Sequence, residues 1–225
     1  MNKQTFILII LGITGISLPA AATADDNNSY AAFDAGPSIF NGQSAQNILT
    51  LIGAGNADTP LTSSFTNSTG YRLTGGYQFN SNWGMEVSYA DFGESDFSIA
   101  HLAGGDASEL PVIGGTRAWG WSLAGVGTLP LDDHWSLFAR LGAIDARVKL
   151  FSNANTSLGT FTNSKTSTDW KATFGGGVSW SFTDDWAVRL GWDQYHDLGS
   201  SNTTGEATVN LISVGIVYSF PLTYE

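Results

Sequence analysis

One feature of this sequence limits its folds more than any other: a period of two in its apolar residues. Within residues 71–79, Tyr71, Leu73, Tyr77 and Phe79 alternate with Arg72, Thr74, Gly76 and Gln78. Side chains of a strand point to opposite faces in turn, so this segment is a ribbon with one apolar face; a helix would scatter the same aromatics around its axis. Trp83, Met85, Val87 and Tyr89 repeat the pattern against Gly84, Glu86, Ser88 and Ala90, and Trp119, Trp121 and Leu123 repeat it against Gly120, Ser122 and Ala124. It returns at Trp170, Phe174, Val178, Trp180 and Phe182, then at Trp186, Val188, Leu190 and Trp192, and last at Ile212, Val214, Ile216, Tyr218 and Phe220. Eight strands are expected, over residues 30–39, 70–80, 83–92, 116–129, 134–148, 168–182, 185–196 and 208–220.

The connections come in two lengths. Residues 80–82, 130–133 and 183–184 are short and turn-like, whereas residues 40–69, 93–115, 149–167 and 197–207 read as long loops. Each short turn is followed by a tryptophan, at Trp83, Trp135 and Trp186, spaced 52 and 51 residues apart. Short turns at one end and long loops at the other is the asymmetry of a barrel in an outer membrane, and indole prefers the headgroup zone. Trp83, Trp135, Trp186 and Phe220 are therefore the expected periplasmic aromatic girdle.

A second face decides between lipid and water. Opposite the aromatics stand Gly, Ser, Ala and Thr with isolated charges, not the Lys and Glu of a solvated surface. Eight strands enclose only enough room for side chains to fill. The small face therefore lines the interior and the aromatic face meets lipid, giving an all-β, eight-stranded antiparallel up-and-down transmembrane β-barrel. Asp34, Arg72, Glu86, Arg140, Lys171, Arg189 and Asp193 are the charges expected inside it. An unpaired charge there is costly, so they are expected to form a network. They can simply satisfy one another and plug the lumen, or act as a gate whose re-pairing opens a path; buried pairs are common, which favours the plug. Asp145 and Arg147 fall on the outward parity, which puts them at the outer rim unless a bulge shifts the strand.

Residues 1–24 have the form of a secretory leader, with Lys3, an apolar run over 6–18, and Ala22, Thr23 and Ala24 before the expected cut. The run is too short to span a bilayer. The expected organisation is a leader at 1–24 and a barrel at 25–225. The net charge of −11, which becomes −12 once Lys3 leaves with the leader, argues against a nucleic-acid partner. The absence of cysteine rules out thiolate catalysis, disulfides and cysteine-ligated zinc. The 13 Phe, 8 Trp and 7 Tyr exclude a disordered chain and suit aromatic belts.

The chain resembles the OmpA-type eight-stranded outer-membrane barrel family. The resemblance is carried by residues 71–79 with 82–89, by 129–133 with 137–142, and by 174–178 through 186–190. It implies a cell outer-membrane location, lipid and lipopolysaccharide as surroundings, and roles in envelope integrity, adhesion, reception or small pores. By position Glu86 and Arg140 resemble two members of that family's interior salt-bridge gate, and Arg189 another lumen arginine, while Val126 and Ser179 stand where a lysine and a second glutamate would be wanted. No periplasmic peptidoglycan-binding domain follows in these 225 residues. The last strand, ending at Phe220, resembles the signal read by the outer-membrane assembly machinery, with residues 221–225 as an added tail.

Catalysis finds little support. A membrane hydrolase of this size would need a histidine near a serine and a carboxylate. His101 falls in a loop and His134 at a short turn; His196 beside Asp197, with Ser200 and Ser201 following, is the one candidate, and strand neighbours face opposite ways. Asp132, Asp133, Asp184 and Asp185 read as turn aspartates, not metal ligands. Gly175, Gly176 and Gly177 lie within a strand and make no phosphate loop. No cofactor is expected. The expected role is structural or surface-interacting, with a narrow channel as the alternative and a lipid-modifying hydrolase as the third. A barrel leaves no free sheet edge, so a monomer is expected, and the ligand of the outer loops is not specified.

Overall fold

A computed structural model describes residues 28–41, 61–101, 112–156 and 159–221. Its strands are β1 (Asn28–Asn41), β2 (Leu61–Phe65), β3 (Ser68–Gln78), β4 (Trp83–His101), β5 (Val112–Pro130), β6 (Trp135–Thr156), β7 (Gly159–Ser181), β8 (Trp186–Ser200) and β9 (Gly205–Pro221). Each strand pairs antiparallel with its neighbour. β1 pairs with both β3 and β9, and β4 with both β3 and β5, so the sheet closes. β2 is a short addition along the far end of β4, which leaves eight staves in the wall.

Register fixes the shape of the tube. From Ser29 the pairing runs through Tyr77, Met85, Gly125, Leu141, Phe174, Gln194 and Asn210, and returns to β1 at Ile39. The closure is thus displaced by ten residues along β1. With about 3.3 Å per residue and about 4.7 Å between strands, that stagger sets a tilt of about 41°.

The outer wall is apolar. Leu141 is 72 % exposed, Trp170 68 %, Trp83 62 % and Trp121 61 %, with Leu73, Val87, Leu123, Leu190 and Val214 alongside. Exposed apolar area on this scale is stable only against lipid. The inward parity of the same strands is Arg72 and Thr74, Glu86 and Ser88, Ser122 and Ala124, all buried.

Each short turn is built around one acceptor three residues before the tryptophan. Asn80 Oδ1 accepts from the amides of Asn82 and Trp83 at 2.9 Å each. Asp132 Oδ1 accepts from those of His134 and Trp135 at 2.8 and 2.7 Å, and Thr183 Oγ1 from that of Trp186 at 3.0 Å. The following strand begins at the tryptophan in all three hairpins. Trp83, Trp135, Trp186 and Phe220 are exposed at this end, where Trp135 meets Trp180 and Trp186 meets Tyr218.

The opposite end differs from the expected loops. Residues 149–155 pair with 160–166, residues 94–99 with 112–117, and residues 198–200 with 205–207 around a turn at 201–204. Much of the expected loop is therefore strand. β6 and β7 have 22 and 23 residues, whereas about 10 suffice to cross a membrane at this tilt. Beyond the bilayer neither face of such a strand needs to be apolar, so its Ser, Thr and Asn carry no period to read.

Candidate functional site

The site is the inside of the tube. Six of the seven expected interior charges meet there and form a closed ring of alternating sign. Arg72 bridges Asp34 (Nε to Oδ2, 3.2 Å) and Asp193 (Nη1 to Oδ2, 2.7 Å). Arg140 bridges Asp193 (Nη1 to Oδ1, 3.0 Å) and Glu86 (Nε to Oε2, 2.7 Å). Arg189 bridges Glu86 (Nη1 to Oε1, 3.2 Å) and Asp34, to which both its Nε and Nη2 donate. Three carboxylates and three guanidiniums cancel, and all six are buried. The Arg140–Glu86 contact is weakly directional, because Nε of Arg140 is close in distance but makes no aligned hydrogen bond.

Two tyrosines and a phenylalanine complete the cluster. Tyr30 donates its hydroxyl to Glu86 Oε1 at 2.9 Å, and Arg72 Nη1 reaches the hydroxyl of Tyr195 at 3.4 Å. Phe138 lies under the guanidinium of Arg140, 4.3 Å from its ring centre, and 6.0 Å from that of Arg189. Glycines make the room. A Cβ on Gly215 would strike the Asp34 carboxylate, one on Gly175 the Asp193 carboxylate, and one on Gly76 the ring of Tyr30.

Lys171 stands apart. It pairs with Glu206 at 3.3 Å and is partly exposed. Pairing between β7 and β8 stops at Thr173 and Tyr195, so Lys171 lies outward of the last shared rung and far from the ring along its strand. Val126 and Ser179 lie opposite Arg140 and Arg189 in register and bring no charge. Asp34 and Asp193 supply the second acid for each arginine instead.

The tube is different on either side of the ring. Toward the short turns lies a cavity of about 360 Å³, lined by Glu86, Arg140 and Arg189 together with Ser136, Ser179 and Ser219. Such a volume has room for about a dozen waters. Toward the far end the interior is largely apolar, with the buried hydroxyls of Ser38 and Thr116 opposite Leu211 and Leu150. Phe92, Ile144, Val148, Leu150, Leu198, Val209 and Leu211 are at most 1 % exposed. Phe92 packs edge-on against Tyr195 at 4.5 Å, so this tyrosine joins the ring below to the apolar plug above.

Outside the lumen, Arg147 is exposed and Asp145 half-exposed, while Ala146 and Val148 between and beyond them are buried. The pair therefore keeps the outward parity, with no bulge in β6. His196 and Asp197 do meet, at 3.1 Å, because a bulge in β8 with Asp197 at φ 49° breaks the alternation. Both are about half exposed, and no hydrogen bond joins His196 to a serine among the described residues. Ser200 uses its amide on Thr204. Among the described residues no three His, Asp or Glu side chains gather in a way that could hold a metal. His101 is described only as backbone.

A closed antiparallel tube with a lipid-compatible wall, and with short turns and exposed aromatic residues at one end, defines an outer-membrane β-barrel. The OmpA-like transmembrane domain family matches residues 24–223, and the chain belongs to that family. Outer membrane protein A of Salmonella typhi is 28 % identical over 219 residues, covering 97 % of this chain and 55 % of that protein. Outer membrane protein A of Klebsiella aerogenes is 27 % identical with the same coverage. The chain thus spans about half the length of the curated relatives it matches. The outer membrane protein OprG of Pseudomonas aeruginosa shares the fold, with a TM-score of 0.50 and 13 % identity over 87 % of this chain and 97 % of that one.

Proposed function

We propose that this protein is a closed structural barrel of the outer membrane that presents surface-exposed strands, and that it neither conducts nor catalyses. The observation that carries this reading is the double seal of the lumen. Every ring arginine already holds two carboxylates, so re-pairing one contact breaks others without a spare partner to receive them. The apolar plug beyond it sets buried hydrocarbon across the outer half of the tube, which opposes the passage of an ion. The extended β4 to β7 region supplies the area for recognition at the cell surface, in keeping with the adhesion or receptor roles of this family. The last strand, β9, would direct assembly, and a leader ending at Ala24 would direct export; N-terminal sequencing of the membrane-inserted protein tests the cut.

The cavity on the turn side favours a second reading, a narrow channel that lacks only an outer opening. Planar-bilayer recording of the refolded barrel separates the two. The closed barrel gives no steps, whereas reproducible steps altered by Glu86→Ala establish the channel.

A further inference from the structure

The cations outside the lumen are unevenly placed. The chain has only nine Lys and Arg against 20 Asp and Glu. Three of the nine lie together on the outward face of β5 and β6. Arg117 is directly opposite Lys149, and Arg147 directly opposite Trp119. Like charges opposite one another destabilise a sheet unless an anion lies between them. Arg117 is fixed from beneath by Asp91 at 2.7 Å and rests over Trp119 at 5.6 Å. Arg147 and Lys149 are exposed and make no ion pair among the described residues.

Their height is set by the aromatic residues. Tyr89 is opposite Trp121, Trp121 opposite Asp145, and Asp145 opposite Trp170, so rings on β4, β5 and β7 flank Asp145 of β6 in a band one same-face step toward the membrane from Arg147 and two from Arg117 and Lys149. Rings of this kind sit at the headgroup level. Among the described residues, acids approach the cations from β4 and from below: Asp91 under Arg117, Glu94 opposite it with Asp96 beside Glu94, and Asp145 at the ring level. Toward β7 the neighbours of Lys149 and Arg147 are Thr166 and Thr168, which add hydroxyls and no charge.

An independent feature starts at the same place. An apolar groove of about 630 Å³ descends the lipid face from Trp121 and Tyr89 past Leu73 and Gly75 to Trp186 at the opposite girdle. A Cβ on Gly75 would meet nothing within 4 Å, so the groove is open there. A phosphate at the headgroup level above and an acyl-sized groove below describe one kind of molecule.

We infer that Arg117, Arg147 and Lys149 form a seat for a phosphate of the phosphorylated glycolipid of the outer leaflet, lipopolysaccharide, with an acyl chain of the same lipid in the groove beneath. The inference rests on the orientation that puts the short turns in the periplasm and not on closure of the lumen, so a conducting barrel would leave it standing.

The test titrates the refolded mature barrel in micelles with bisphosphorylated lipid A, with the same lipid after removal of its phosphates, and with inorganic phosphate, following tryptophan emission. Each surface cation facing an anionic lipid contributes about fivefold in affinity. The wild type should prefer the phosphorylated lipid by more than about tenfold. The double variant Arg147→Gln with Lys149→Gln should lose that preference, while Lys171→Gln keeps it. Gly75→Leu should weaken both lipids alike. Equal binding of the two lipids by the wild type overturns the seat, as does a preference that survives the double variant. Competition by inorganic phosphate as effective as by the lipid overturns the lipid assignment in favour of a free-anion site. The shift in mobility on boiling checks folding, and if the double variant fails it, Lys149→Gln alone must cost about fivefold.

Discussion

The two halves of the lumen close the same tube by opposite means. Near the short turns six charges cancel around a ring. Near the outer end Phe92, Leu198, Leu211 and their neighbours fill the space with hydrocarbon. The ring is expensive to bury and stable only while complete, since removing one partner leaves a buried charge short of its counter-ion. The plug has no such all-or-none character: each side chain adds its own burial and leaves only a gap when lost. The difference separates two properties that sequence reasoning joins. Stability is most sensitive at the ring, whereas resistance to ions resides in the plug, because a charged ring beside a polar cavity is a tolerable environment for an ion and a plug of hydrocarbon is not.

The comparison can be broken at several points. Arg189→Ala should have the largest effect on stability, about 3–5 kcal/mol, by leaving Asp34 and Glu86 short of a partner; urea unfolding in lipid vesicles, read by the boiling-dependent gel shift, measures it. Leu198→Ala should cost about 2–4 kcal/mol in the same assay and, unlike the ring variant, should admit ions when combined with Phe92→Ala. A ring variant milder than the plug variant would reverse the ranking. Tyr30→Phe removes one hydrogen bond to a charged acceptor and should cost about 1.5–3 kcal/mol, with the ring still closed. Smallest is the effect of pH at the turn that ends in Trp135. The amides of His134 and Trp135 hold the Asp132 carboxyl below its ordinary range. A depressed carboxyl stabilises the folded form above its unfolded pKa and loses that contribution as pH falls through the folded one. Acid should therefore loosen this hairpin slightly in hydrogen exchange, and Asp132→Asn should flatten the dependence.

The lipid-facing wall was the most legible part of the chain, because lipid demands a strict alternation and water inside the tube tolerates only small residues opposite it. The ring was legible in its members, since a charge on the small face has nowhere else to go. Its closure was not, because register and tilt bring Asp34 of β1 to Arg189 of β8. The plug left a signal that alternation conceals: Val209 and Leu211 are apolar on the inward parity while Ile212 and Val214 are apolar on the outward one, the mark of a strand buried on both faces. Tyr195 and Phe92 likewise stood on the inward parity as large residues among small ones. Lys171 followed parity but lay beyond the last rung that β7 shares with β8, a boundary that polar residues do not announce. The strand extensions were hidden for the same reason.

The most direct test is single-channel recording of the refolded barrel beside two variants, Glu86→Ala and the pair Phe92→Ala with Leu198→Ala. The account predicts silence from the wild type and from Glu86→Ala, and discrete steps from the plug variant. Steps from the wild type that change with Glu86→Ala, or a plug variant that stays silent while folded, would contradict it.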